Sequence, residues 1–157
     1  MTRILFVCLG NICRSPLAEG IMHHLKVKHN LKIEIDSAGT ASYHIGDAPD
    51  SRTIANAKKN GIDLSQLRGR QFSEEDFENF DLIYAMDKNN LKHLLALAKN
   101  EPHRKKVQLF LNVLHPGKNL EVPDPYYHDE KVFEEVFQLV YSACNQLKNA
   151  HLSAFRQ

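Results

Sequence analysis

A chain of 157 residues, 43% hydrophobic and 25% charged, has the size and composition of one soluble globular domain over residues 1–157, long enough to bury roughly 70% of its unfolded surface. A net charge of +1 excludes the strongly basic field that nucleic acid or an anionic membrane surface would require. Three cysteines without paired spacing argue against a disulfide scaffold and for a reducing cytoplasm, and nine histidines form no cluster of zinc spacing, so no metal and no cofactor are expected. No signal peptide or membrane span is expected either, because the apolar run 4–9 is too short for both.

In chain order, Ile4-Leu5-Phe6-Val7 reads as the centre of a buried strand over residues 3–7. Leu17, Ile21 and Leu25 then recur at helical spacing, with Ser15 expected as the cap and Pro16 at the first helical position. The turn between them begins at Cys8 and ends at Arg14. Such a strand-to-helix turn aims the backbone N–H groups of Leu9, Gly10, Asn11, Ile12, Cys13 and Arg14, with the positive end of the helix dipole, at one point. An anion belongs there, beside Cys8. The same field favours thiolate over thiol, since helix N-termini and nearby cations lower a cysteine pKa from ~8.5 to roughly 3.5–7.5. Arg14 adds a planar fork able to hold two phosphate oxygens, which lysine does not reproduce. A buried cysteine is often just a small hydrophobe. In the pattern Cys-x5-Arg-Ser at a strand–helix junction, however, the residues imply displacement at phosphorus through a cysteinyl-phosphate.

Further strand-like runs fall at 32–36, 82–86 and 107–111, alternating with helical patterns, which argues for a parallel α/β sheet with helices on both faces. Asn11 after Gly10 is expected in the left-handed conformation, tied down by Ser15 and Ser37, with Ser15 also donating to the Cys8 sulfur. Phe72-Ser73-Glu74-Glu75-Asp76-Phe77 carries a cap, an acidic residue three positions on and a Phe72–Phe77 staple. Asp87 is expected to cap a helix striped by Leu91, Leu94, Leu95 and Ala98. The basic cluster His103-Arg104-Lys105-Lys106 reads as a solvated lead-in to the fourth strand. Near the end, Val132, Phe133, Val136, Phe137, Val140, Tyr141, Cys144 and Leu147 share a broad helical face, which makes Cys144 a core residue.

Expelling a phenolate needs a proton on the leaving oxygen and later a base to activate water. Val122-Pro123-Asp124-Pro125-Tyr126-Tyr127 is a loop stiffened on both sides of its carboxylate by proline. Asp-Pro alone is a common turn initiator.

Taken together, the run from Val7 to Glu19, Asp124-Pro125-Tyr126-Tyr127, Asp36-Ser37-Ala38-Gly39, Gly61-Ile62-Asp63-Leu64-Ser65, Arg70-Gln71 and Met86-Asp87 resembles the low-molecular-weight protein tyrosine phosphatases over nearly the whole chain. The resemblance implies four parallel strands in the order 2-1-3-4 with helices on both faces. It implies Cys8 as nucleophile, Arg14 as phosphate clamp and Asp124 as general acid and base. It also implies aromatic rim residues at Tyr43, Tyr126 and Tyr127 around Ile12, a slot too deep for phosphoserine. Cys13 is implied as redox partner of an oxidised Cys8, against a simple space-filling role beneath the loop. Two positions depart from the family pattern. Leu67 stands at or near the place of a histidine that often completes the Asn11 network, and His128, where glycine is usual, is expected to narrow or recharge the rim.

A phosphotyrosine protein or small aryl phosphate is the expected partner, with neither nucleic acid nor membrane, for a monomer or weak dimer. Three alternatives compete. A thiol-dependent arsenate reductase on this fold would carry a mid-chain cysteine pair, absent from residues 80–95. A protein-arginine phosphatase carries threonine where Ile12 stands, and the apolar Ile12 suits a phenyl ring better. A non-catalytic phosphate-binding module would need neither Cys8 nor Asp124.

Overall fold

The computed structural model describes residues 1–156, with side chains through residue 152. Four parallel strands, β1 (Thr2–Cys8), β2 (Ile33–Gly39), β3 (Leu82–Ala85) and β4 (Val107–Leu109), form one sheet in the order β2-β1-β3-β4, the 2-1-3-4 order that the resemblance implies. Six helices surround it: α1 (Arg14–His29), α2 (Ser51–Lys59), α3 (Asp76–Asn79), α4 (Lys88–Leu97), α5 (Glu101–Lys105) and α6 (Glu130–Arg156). Among the described residues no helix is long and apolar enough to cross a membrane.

The period-2 alternation of β1 divides the core. Ile4, Phe6 and Cys8 face one side and pack with Leu17, Ile21 and Leu25 of α1 and with Val136, Val140 and Cys144 of α6. Leu5 and Val7 face the other, against Phe72, Phe77 and Leu94. Both faces are covered, so the central strand reads as a continuous apolar run. Cys144 is fully buried in that core, and burial pushes its thiol well above the usual range.

Several local expectations shift in the structure. The fourth strand stops at Leu109, because Phe110–Val113 winds into a 3-10 turn that still buries Phe110 and Leu111. The second strand runs three residues past the apolar pattern, since Ser37, Ala38 and Gly39 pair with Phe6, Val7 and Cys8. The Phe72–Phe77 staple forms, with ring centroids 5.1 Å apart, but the helix begins only at Asp76 behind a Glu75 cap. The Asp76 carboxylate instead reaches back to the Ser73 N–H at 2.9 Å. The basic cluster lies in and just after α5, where the His103 ring stacks on Phe77.

Ser15 does not cap α1. Cys13 is the N-cap, without a side-chain cap bond, and Ser15 sits one residue inside the helix, where its hydroxyl turns toward Cys8. Pro16 follows within the first turn, whose N–H groups have no intrahelical partner and whose missing donor therefore costs nothing.

Candidate active site

The loop from Cys8 to Arg14 leaves the carboxyl end of the central strand β1 and enters α1, beside the switch in strand order. That is where open α/β sheets bind ligands. The end of β2 holds the loop through Thr40 N–H donating to the Cys8 carbonyl at 2.9 Å and Ala41 N–H to the Leu9 carbonyl at 3.0 Å. Gly39 permits this approach, because a Cβ there would lie 2.8 Å from the Leu9 carbonyl oxygen. From the other side, Asp50 N–H donates to the Ile12 carbonyl at 2.8 Å.

Asn11 is left-handed at φ 57°, and its buried side chain makes three hydrogen bonds. The amide nitrogen donates to Ser15 Oγ at 2.8 Å and Ser37 Oγ at 2.9 Å, and Oδ1 accepts from the Arg70 N–H at 3.0 Å. The Arg70 backbone thus supplies a contact that the substitution at Leu67 does not remove. Leu67 itself packs against the core. Ser15 Oγ lies 3.0 Å from Cys8 Sγ.

Above the loop opens a pocket of about 240 Å³ lined by Cys8, Leu9, Gly10, Ile12, Cys13, Arg14, Tyr43, His44, Asp124, Tyr126 and Tyr127. Residues 122–127 therefore come together with the Cys8 turn, as the resemblance implies. Tyr127 is 89% exposed and meets Tyr126 edge-to-face at 4.9 Å. His128 stands outside this lining. It is exposed and closes a turn by donating its N–H to the Pro125 carbonyl at 2.9 Å.

Arg14 is 3% exposed, and its Nη1 donates to Asp87 Oδ2 at 2.7 Å and to the Val122 carbonyl at 3.0 Å. Its Nη2 lies 3.7 Å from Asp124 Oδ2. Burial works against the Arg14 charge, yet the facing Cys8 sulfur, then Asp87 and Asp124, together hold its pKa above the ordinary guanidinium value. Asp124, its side chain 42% exposed, is steadied by Oδ1 accepting from the Tyr126 N–H at 3.1 Å. Cys13 is different. Burial pushes its thiol up to about 12, and the adjacent Thr53 hydroxyl, outside good hydrogen-bond geometry, relieves little of that.

Three contributors escape sequence reasoning. Asp87 caps α4 as expected, with Oδ1 accepting from the Asn90 N–H at 2.8 Å, but its other oxygen is the anchor of Arg14. Arg52 pairs with Asp50 at 3.0 Å and donates to the Tyr126 carbonyl at 2.8 Å, so it pins the loop bearing Asp124 to α2. The Arg52 hydrogen bond in turn lowers the Asp50 pKa against partial burial. His44 lines the pocket against Gly10, with Nδ1 tied to Asp47 at 3.1 Å. Asp47 carries no local signal beyond its turn, and the Asp87 and Arg52 contacts span more than seventy residues.

Asp87→Asn separates the two duties of that side chain. Asparagine caps a helix as well as aspartate does, so Tm is expected to fall only by what the weaker bond to the buried Arg14 costs, a few degrees at about 1–2 kcal/mol. KM for an aryl phosphate is expected to rise about tenfold, as a charge-assisted bond to Arg14 worth roughly 1.5–3 kcal/mol weakens. Thermal denaturation beside steady-state kinetics checks both halves.

Among the described residues no group of three or more His, Cys, Asp or Glu side chains is arranged to hold a metal ion. A family model, low molecular weight phosphotyrosine protein phosphatase, matches residues 3–156. The chain is 44% identical over 151 residues to the low molecular weight protein-tyrosine-phosphatase YfkJ of Bacillus subtilis, covering 94% of each chain. To the human low molecular weight phosphotyrosine protein phosphatase it is 40% identical over 152 residues, covering 94% of this chain and 95% of the relative. A crystal structure of a protein tyrosine phosphatase from Entamoeba histolytica superposes over 100% of both chains with a TM-score of 0.90 at 40% identity. The loop that carries Cys8, the fold beneath it and these matches agree, and the chain belongs to the low molecular weight phosphotyrosine protein phosphatase family.

Proposed function

We propose that this protein hydrolyses phosphotyrosine in proteins, or small aryl phosphates, by two in-line displacements at phosphorus. The observation that carries the reading is the position of Cys8, at the floor of a pocket where Arg14 and Asp124 meet. Cys8 Sγ attacks as the thiolate. The N–H groups of Leu9 to Arg14, with Nε and Nη2 of Arg14, hold the phosphoryl oxygens, since Nη1 is already committed to Asp87 and Val122. Asp124 protonates the departing phenolate and then takes a proton from the water that cleaves the S–P bond, releasing phosphate and thiolate. Ser15 donates to the sulfur as it leaves. Tyr43, 75% exposed, Tyr126 and Tyr127 wall the slot around Ile12. Positioning and electrostatics supply most of the rate, as in other phosphoryl transfers.

The nucleophile must stay reduced, which suits the cytoplasm. Side-by-side assays on phosphotyrosine, phosphoserine and phosphoarginine peptides, and on arsenate with thioredoxin, test the substrate class. Turnover of phosphotyrosine alone is expected. Preference for phosphoarginine, or arsenate reduction, would overturn the reading.

Cys13 belongs to the redox part of the same proposal. Peroxide converts the Cys8 thiolate to a sulfenic acid, and the Cys13 sulfur displaces hydroxide from it, forming a disulfide and water. Because the buried Cys13 thiol sits near pKa 12, its thiolate grows about tenfold per pH unit across the neutral range. Disulfide formation is therefore expected to accelerate with pH, and Cys13→Ser to leave peroxide inactivation harder to reverse with a thiol. Full recovery in that variant would reduce Cys13 to packing.

A further inference from the structure

Glu19 lies in the second turn of α1, only 7% exposed, and nothing in the two displacements uses it. A carboxylate is costly to bury without a cation. Among the described residues the one ion-pair contact it makes is with His23, whose Nε2 stands 3.7 Å from Glu19 Oε2 at the surface end. The other oxygen, Oε1, accepts from Ser37 Oγ at 2.5 Å.

That bond ends one arm of a hydrogen-bond network whose other arm reaches the sulfur. The Arg70 N–H fixes the Asn11 amide with its oxygen toward Arg70, so the nitrogen faces the two serines and spends both hydrogens on them. Each serine has thereby received one hydrogen bond and has one proton to give. Ser37 gives its proton to Glu19. Ser15 is left with Cys8 Sγ at 3.0 Å as the near acceptor, against the Ala38 carbonyl at 3.5 Å. The Asn11 amide is thus a branch point, donating through Ser37 to Glu19 on one arm and through Ser15 to the sulfur on the other, and the two arms share one orientation of that amide.

We infer that Glu19 is a positioning residue of the phosphoryl-transfer site, acting through Ser37 and Asn11 to hold the left-handed turn and to aim the Ser15 hydroxyl at the nucleophile. Without it the Ser37 proton has no acceptor there and turns on the Asn11 amide, loosening the loop that presents Cys8. The inference rests on the reading of Cys8 as the nucleophile.

A double-mutant cycle tests it. Glu19→Leu is expected to lower kcat about tenfold, and the rate of Cys8 alkylation by iodoacetamide at mildly acidic pH with it, as a hydrogen bond to a charged group is lost. Glu19→Gln keeps an acceptor for Ser37 and is expected to restore most of both rates. In a Ser37→Ala background, Glu19→Leu should cost nothing further. Should Glu19→Leu fail to fold, the smaller loss left in Glu19→Gln, about twofold, carries the cycle and is expected to vanish in Ser37→Ala. Losses that add, or a Glu19→Leu enzyme with full kcat, would overturn the inference. Additive losses in a protein that Cys8→Ser still inactivates would leave the phosphatase reading standing.

Discussion

Cys8→Ser is expected to abolish turnover of every aryl phosphate while the protein still binds inorganic phosphate. The substitution changes one atom at the floor of the pocket. A serine hydroxyl, far less acidic than a thiol, stays protonated there. Ser15 is within reach at 3.0 Å but is itself a donor, held in that role by Asn11. The anion-binding parts survive: the loop amides, the α1 N-terminus and Arg14, still anchored by Asp87 and the Val122 carbonyl. Equilibrium binding of phosphate by calorimetry, beside activity, separates the two effects. Residual turnover well above background would mean that the sulfur is not the nucleophile. Loss of phosphate affinity would mean that the loop itself had collapsed.

Asp124→Ala is expected to cost about 10²–10⁴-fold on phosphotyrosine, the usual worth of a general acid–base group. Its effect depends on the leaving group. Tyrosine leaves as a poor phenolate that needs the proton, whereas a nitrophenolate leaves almost unaided, so the first step on nitrophenyl phosphate is expected to suffer much less. Asp124 is well placed for this duty without being buried. Pro123 and Pro125 limit its backbone, and the Tyr126 N–H holds one carboxylate oxygen. Arg52 then ties the Tyr126 carbonyl to α2. Equal losses in kcat/KM, which reads the first displacement, on both substrates would remove Asp124 from the acid role.

How much of this was legible depended on how local each contact is. Cys8 and Arg14 announce themselves because the strand, the turn and the helix that create the anion site are contiguous in the chain. Asp124 was legible as a stiff carboxylate, but only the resemblance linked it to a loop more than a hundred residues away. The same cause hid Asp87 behind its helix-capping duty and hid Arg52 altogether. The cap assignment of Ser15 failed because two donors compete for one oxygen, although its expected contacts with Asn11 and Cys8 are present. Ser15 looks like a cap by position, yet its oxygen is taken by Asn11 and its proton by the sulfur. Strand ends failed where pairing overrules propensity, as at Gly39, which propensity alone would not place in a strand but which pairs with Cys8.

The claim on which these predictions depend is a covalent bond between phosphorus and Cys8. With nitrophenyl phosphate, Asp124→Ala largely spares the first displacement and leaves the second without its base, so the intermediate should accumulate. A rapid denaturing quench of that variant during turnover, followed by peptide mapping, is predicted to find one phosphoryl group on the peptide containing Cys8 and none when Cys8 is serine. Turnover without any phosphorylated peptide, or with the phosphoryl group on another residue, would contradict the account.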